Sequence, residues 1–539
     1  MRVSLASPQS STHVSRMRLF VVAWLMLAGV WPLAIGAPAP ESVAVLYNSA
    51  SAESEKLARF YCEARGIPTG NLIALKMPES QDISRADYES SIAAPLRKEF
   101  DRRAWWKRSK DSAGITGPVL NKIRVLVTMR GVPLRIQPGP KPKPPAATAT
   151  PPPPQNSMAD HDEASVDSEL ALFGLEGVPL AGVLPNPYYK SEKSISGREF
   201  PFLILTARLD APTYSTCERM IRDAIETEKN GLWGMAYVDI ANKFPQGDQW
   251  LENVVSANAK SGIPTVVDRF NDTLPTHYPM RDAAFYHGWY DWNVSGPFLN
   301  PAFKFRKGAI AMHLHSFSAE QLHNPSKNWA GPLLEKGAAV TIGNVYEPFL
   351  HLTHDFGILH QRLLAGHSWV EACWMAIPAA SWQGVVLGDP LYQPFKHLDG
   401  SGAVVQSNKD FRALRAATLR WPNNPNERRK QLDMAADRTG SGVLAESVGL
   451  DFQGHGLSAE AILHFRKAKS FYLADADKLR QDFHVIAIDR SANRKDLAIR
   501  GLRDAEMRYR SLPEAESLKG WLNILDPPPP PPPPAKPDK

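Results

Sequence analysis

Short β-branched apolar runs alternate with amphipathic stretches over the first two thirds of this chain. Residues 43–47 (VAVLY) predict a first strand, and the spacing of Leu57, Phe60 and Tyr61 predicts a helix over 51–65. Further strands are expected at 72–75, 123–128, 202–206, 235–240 and 264–267. Helical patterns lie between them at 84–100, 215–229 and 250–260, the first opened by Ser84 as N-cap with Asp87 in its first turn. This alternation predicts an α/β fold, a mainly parallel sheet flanked by helices.

Four apolar segments follow: AAFYHGWY, GAIAMHLHSFSA, GAAVTIGNVYEPF and VVLGDPLYQPF. The second reads as a strand over 309–317. Period-two alternation then puts His313, His315 and Phe317 on one face, with Met312, Leu314 and Ser316 on the other. From about 410 to 525 the pattern is helical throughout, with apolar spacing at 459–473, 474–488 and 496–512. These helices suggest stacked hairpins, loosely similar to tetratricopeptide repeats but without a 34-residue period. The expected organisation is an α/β domain at 42–397, an all-α C-terminal helical module at 410–525 and a tail at 526–539. A segment at 138–154, dense in proline, lysine and alanine, reads as a surface insertion. The tail opens with a run of eight prolines, Pro527 to Pro534, an extended segment suited to a proline-binding partner.

The N-terminus adds a compartment. Arg16 and Arg18 precede an apolar run at 19–33 and small residues at 34–36, the pattern of a signal peptide over 1–36 cleaved near Ala37. The run is shorter than the roughly 20 residues of a membrane span, so the expected mature protein is periplasmic or extracellular, with no stable span. Loss of Arg2, Arg16 and Arg18 lowers the formal charge from +6 to about +3. No Lys/Arg stripe interleaved with aromatics occurs, which argues against nucleic acid as a partner. Cys62, Cys217 and Cys373 sit in helical patterns. An oxidising compartment permits one disulfide among them, of undetermined pairing; otherwise they are buried thiols acting as small apolar residues.

Candidate chemistry concentrates at strand ends. His287-Gly288 closes a strand, where a general base of an α/β sheet belongs. Ser316 or Ser318 is the nucleophile that His287 would activate. His313 and His315 form an H-x-H half-site for zinc, but spacing specifies no third ligand, so neither a metal nor another cofactor is implied. His323, His351 and His354 lie further along. Asn344 and Glu347 follow the third segment; Glu347 would orient His287, bind a substrate cation or cap the next helix. Asp389 suits an Asx turn. Arg130, Arg208 and Asp210 also follow strands, and Asp167 and Glu169 follow the insertion. All are binding candidates inferred to share one edge of the sheet.

The block FYHG…GAIAMHLHSFSA…GDPLYQPF resembles the end of the gingipain-like domain of the caspase–haemoglobinase fold. That resemblance implies His287 as base, Gly388-Asp389-Pro390 as closing turn and a nucleophile near 315–318, where this chain has no cysteine. The longer stretch from VAVLYNSASAESEKLARFYCEARGIPTGNLIAL through IRVLVTMRGVPLRI, VDSELAL and GNVYEPFL to GDPLYQPF is similar to an uncharacterised exported bacterial family of exosortase-bearing species. It implies export and an envelope setting, and assigns no reaction. The function expected is a non-proteolytic binding protein for a peptide or envelope component, built on a degenerate cysteine-peptidase-like fold. The alternatives are a hydrolase using His287 with Ser316 or Ser318, and an envelope scaffold acting through the helical module and proline tail.

Overall fold

The computed structural model describes residues 37–140, 161–178, 182–197 and 199–528. The expected signal peptide, most of the proline-rich insertion and most of the proline tail lie outside the described residues.

Ten strands form the two principal sheets. They are β1 (Val43–Asn48), β2 (Leu72–Leu75), β3 (Val125–Met129), β4 (Leu205–Leu209), β5 (Met235–Asp239), β6 (Thr265–Asp268), β7 (Ala283–Gly288), β8 (Ile310–His313), β9 (Thr341–Asn344) and β10 (Gly384–Leu387). The first sheet has the order β9-β10-β4-β3-β1-β2, the second β6-β5-β7-β8. All pairings are parallel except β9 against β10. A parallel bridge between Ile310 and Val340, with the Ala339 amide donating to the Ala309 carbonyl at 2.9 Å, ties the sheets together at β8 and β9.

The inner strands read as continuous apolar runs because helices cover both faces. Every residue of β1, β3, β4 and β5 is buried. Helix Ala52–Arg65 starts where the Ser51 hydroxyl accepts from the Ser54 amide at 3.2 Å, and buries Leu57, Ala58, Tyr61 and Cys62. The chain passes from β1 to β2 on one side and then to β3 on the other. The point between β1 and β3 is therefore a topological switch, with a crevice outside the strands' carboxyl ends. Asn48 staples that crevice: its amide donates to the Gly131 carbonyl at 2.9 Å and the Met77 carbonyl at 3.2 Å, and its Oδ1 accepts from the Met77 amide at 3.1 Å.

Several boundaries differ from expectation. The strand expected over 309–317 ends at His313, because the chain turns there and Phe317 takes a left-handed φ of 60°. The alternation therefore does not carry to His315 and Ser316. The strand expected at 202–206 lies at Leu205–Leu209 instead, after a turn in which the Leu203 amide donates to the Phe200 carbonyl. Gly388 closes β10 with φ +118°, and a Cβ there would come 2.9 Å from the Ala339 carbonyl oxygen, so glycine is required at this turn. Asp389 beside it makes an Asx turn, Oδ1 accepting from the Leu391 amide at 3.0 Å, and also accepts from Tyr61 and Arg65.

Seven helices follow: Lys409–Arg420, Pro425–Thr439, Gly442–Gly454, Ser458–Phe471, Asp475–Ser491, Lys495–Tyr509 and Glu516–Leu525. They share the core of the α/β part. Leu414, Leu432, Val448, Phe483 and Trp521 belong to the same buried cluster as Tyr237 of β5. The three cysteines are free and buried, so no disulfide links them. Burial pushes each thiol upward, Cys62 to about 11, which leaves them inert as nucleophiles.

Candidate functional site

Asp210, at the carboxyl end of β4, is the hub of a buried charge network. Arg208 precedes it on the strand and is wholly buried. Arg208 donates Nε to Asp167 Oδ2 at 2.8 Å and Nη1 to Asp210 Oδ2 at 3.2 Å; its remaining donors meet the Val132 and Pro133 carbonyls. Asp167 sits in the short helix Val166–Leu170, capped by Ser165, and its Oδ1 accepts from Thr128 of β3 at 2.6 Å. Arg130, just past β3, reaches Asp210 Oδ1 at 3.2 Å and lies 5.0 Å from the Tyr214 ring centroid. Glu169 on the same helix pairs with Arg85 at 2.9 Å and accepts from Ser381 at 2.7 Å. Five expected binding residues, Arg130, Asp167, Glu169, Arg208 and Asp210, thus come together behind the ends of β3 and β4.

The network ends on a residue that strand spacing does not reveal. His323, in the loop after β8, donates Nε2 to Asp210 Oδ1 at 2.7 Å, and its Nδ1 meets the Gln81 carboxamide. Burial by itself would push the Asp210 carboxyl up. The charge and hydrogen bond of His323, with Arg208 and Arg130, outweigh it and hold Asp210 down at about 2. His323, Gln81, Arg135, Glu320, Gln321 and Asn324 wall an open cavity of about 420 Å³. Arg135 is fixed by a forked pair to Asp82 at 2.6 and 2.8 Å, and lies 3.4 Å from Glu320. Both imidazole nitrogens of His323 are engaged, and no Ser, Thr or Cys lines this cavity. Such a wall presents amide, guanidinium and carboxylate groups, with Arg135 and His323 held in place by their partners, which suits recognition of a polar chain. General-base catalysis would need a free ring nitrogen.

The base–nucleophile pair expected from His287 with Ser316 or Ser318 is not formed. His287 is completely buried in β7, with neither ring nitrogen hydrogen-bonded. Its ring packs 5.3 Å from the His360 ring and 6.1 Å from that of Phe356. Burial, reinforced by His360, lowers its pKa far below the usual imidazole range. Ser318 is buried, and its hydroxyl accepts from the Asn344 amide at 3.1 Å. The Ser316 carbonyl accepts from His315 Nδ1. Gly288 serves packing: a Cβ there would strike the Tyr286 hydroxyl and lie 3.2 Å from Asp239 Cβ.

The remaining strand-end residues do not join the Asp210 network. His315 packs against Tyr290 and Trp292, ring centroids 5.1 and 4.9 Å away. Asn344 exchanges hydrogen bonds with Thr353 at 3.0 and 3.1 Å. Glu347 is exposed and accepts from the Phe349 amide at 3.1 Å, a loop role that leaves His287 unoriented. His313 stacks on Trp329 at 3.4 Å; its Nδ1 lies 3.0 Å from the Tyr286 hydroxyl, and its Nε2 accepts from the Asp291 amide. Both nitrogens are occupied, so the H-x-H half-site does not form. Among the described residues no group of three or more ligating side chains converges, and no helix is long and apolar enough to cross a membrane.

No protein-family model matches the chain, and no curated protein or solved structure matches it.

Proposed function

We propose that this chain is an exported, envelope-associated binding protein that holds a peptide segment at the carboxyl ends of β1, β3 and β4, on a gingipain-like core without peptidase chemistry. One observation carries this reading. His323, clamped between Asp210 and Gln81, stands with Arg135 and Glu320 in the wall of an open cavity that contains no nucleophile. Carboxamides of Gln81, Gln321 and Asn324 match the donors and acceptors of a peptide backbone. The location agrees with the rule that open α/β sheets bind ligands at a switch point. Support for the gingipain-like core comes from layout: His287-Gly288 closes β7, the cysteine-free segment 315–318 follows β8, and Gly388-Asp389-Pro390 follows β10. The apolar segment at 19–33 supports export.

The test is selection of a random peptide display library on the immobilised full chain. Enriched peptides should bind wild type and lose about tenfold or more in affinity to Arg135→Ala and His323→Ala, as expected for charge-assisted hydrogen bonds. Absence of enrichment, or equal binding by both variants, overturns the assignment. Labelling of Ser316 or Ser318 by a fluorophosphonate, abolished in His287→Ala, would establish the hydrolase in its place.

A further inference from the structure

Five rings line up across the carboxyl ends of β5, β7 and β8. Phe244 follows β5, Tyr290 and Trp292 follow β7, and His315 and Phe317 follow β8. Successive centroids lie 6.1 Å apart from Phe244 to Tyr290, 5.1 Å from Tyr290 to His315, 4.9 Å from His315 to Trp292 and 5.6 Å from Trp292 to Phe317. Phe244, Tyr290 and Trp292 are 51, 40 and 56% exposed. A contiguous exposed apolar patch marks an interaction site. None of these residues belongs to the cavity at His323. We propose that this aromatic track docks the proline run 527–534 of the same chain.

The last helix, Glu516–Leu525, delivers that run to the track. The loop after β6 passes from the carboxyl end of β6 to the amino end of β7. Just before the helix, the Pro513 carbonyl lies 3.0 Å from His277 Nδ1 of this loop; further on, Trp521 packs on Phe270, with ring centroids 5.4 Å apart. The helix therefore runs towards the carboxyl edge of the sheet, and the chain leaves it beside Phe270. The Asn242 amide donates to the Arg269 carbonyl at 2.9 Å and to Asn271 Oδ1 at 3.1 Å, which ties Phe270 to the loop that carries Phe244. With strands about 4.8 Å apart, the edge from β6 across β5 and β7 to β8 measures about 15 Å. Eight prolines in a polyproline II helix extend about 25 Å, enough to cross it.

The chemistry of the two surfaces is complementary. A proline run has no backbone N–H and offers only carbonyl acceptors and apolar rings. The Tyr290 hydroxyl and the Trp292 indole N–H are donors that nothing in the chain takes up. Between them, Asp291 Oδ2 already accepts from the Thr273 and Ser295 hydroxyls. His315 stands between Tyr290 and Trp292, so their rings are at most about 10 Å apart, a gap that one polyproline turn of about 9 Å spans. Aromatic surfaces take proline-rich segments in this way because the extended helix is already ordered before it binds.

Hydroxyl-radical footprinting of the full chain tests the docking. Replacing all eight prolines by serine should raise oxidation of Tyr290 and Trp292 several-fold, while exposed Met434, on helix Pro425–Thr439, stays unchanged. A synthetic peptide of residues 527–539 should bind this serine variant, and the same peptide with serines for prolines should not. Adding Trp292→Ala to the serine variant should weaken the proline peptide by about fivefold or more. Protection of Trp292 in the unaltered chain should persist on dilution, with a monomer in sedimentation. Equal oxidation with and without the prolines, a proline peptide that does not bind, or equal binding of the serine peptide would overturn the proposal. Protection lost on dilution would assign the track to the tail of a second copy and overturn it as well.

Discussion

Asp239 and Asp268 are register partners at the carboxyl ends of the parallel strands β5 and β6, and each buries one carboxylate oxygen without a donor. Their other oxygens accept from the Leu274 amide at 3.0 Å and the Phe270 amide at 3.2 Å. Burial first, and then the charge of Asp268, drives Asp239 far above the usual carboxyl range. Burial, with repulsion from Asp272 and against the pull of Arg490, raises Asp268 to about 7. A proton held in common would satisfy both orphan oxygens.

That pair sets a pH dependence of definite sign. Folding favours the protonated form, so the contribution is complete below the unfolded carboxyl value of 3.8 and is lost as pH rises towards 7. Asp239→Asn supplies permanently the donor that the proton supplies. Thermal melts should show the variant gaining on wild type by several degrees between about pH 5 and about pH 8. A difference in Tm that stays constant over that range would refute the shared proton.

His287 gives the opposite sign. Its folded pKa lies far below the unfolded 6.5, so its contribution is present above that value and lost as pH falls through it. His287→Leu removes two buried nitrogens that have no partner. The variant should be as stable as wild type or more stable, by about 1 kcal/mol at neutral pH, with a larger advantage at about pH 5. Urea titrations at both pH values measure this. A catalytic His287 would leave the variant no more stable and inactive.

Glu446 ties the helical module together. It is fully buried and accepts from Arg480 Nε and Nη2 at 2.7 Å each, from His484 at 2.8 Å and from the Tyr472 hydroxyl at 2.5 Å. Burial opposes its charge, but Arg480 and His484 prevail and hold the carboxyl far below its usual value. Glu446→Gln would leave Arg480 buried with Asp477 as its remaining carboxylate partner, destabilising by about 3–5 kcal/mol. Because the module and β5 share one core, calorimetry should show a single transition moving to lower temperature. Two separated transitions would show that the module unfolds independently.

Much of the architecture was legible along the chain. The apolar runs at 43–47 and 235–240 became β1 and β5, because a strand covered on both faces must be apolar at every position; the run at 72–75 became β2, an edge strand with Ala74 exposed. Helix starts at Ser51 and Ser84 followed local capping chemistry, which needs only neighbouring residues. The end of β8 at His313 was not legible: the turn at Phe317 has no local signature, and alternation continues in the sequence after the strand has stopped.

The candidate site divides in the same way. Residue type and strand-end position marked Arg130, Asp167, Glu169, Arg208 and Asp210, because strand ends in a parallel sheet lie together whatever the connecting loops do. Tertiary structure alone brought in His323, which is 113 residues from Asp210 in the chain. It alone sealed His287 beneath Phe356 and His360. Burial and long-range pairing arise from how elements pack, and a single strand or helix pattern carries no record of what will be laid over it.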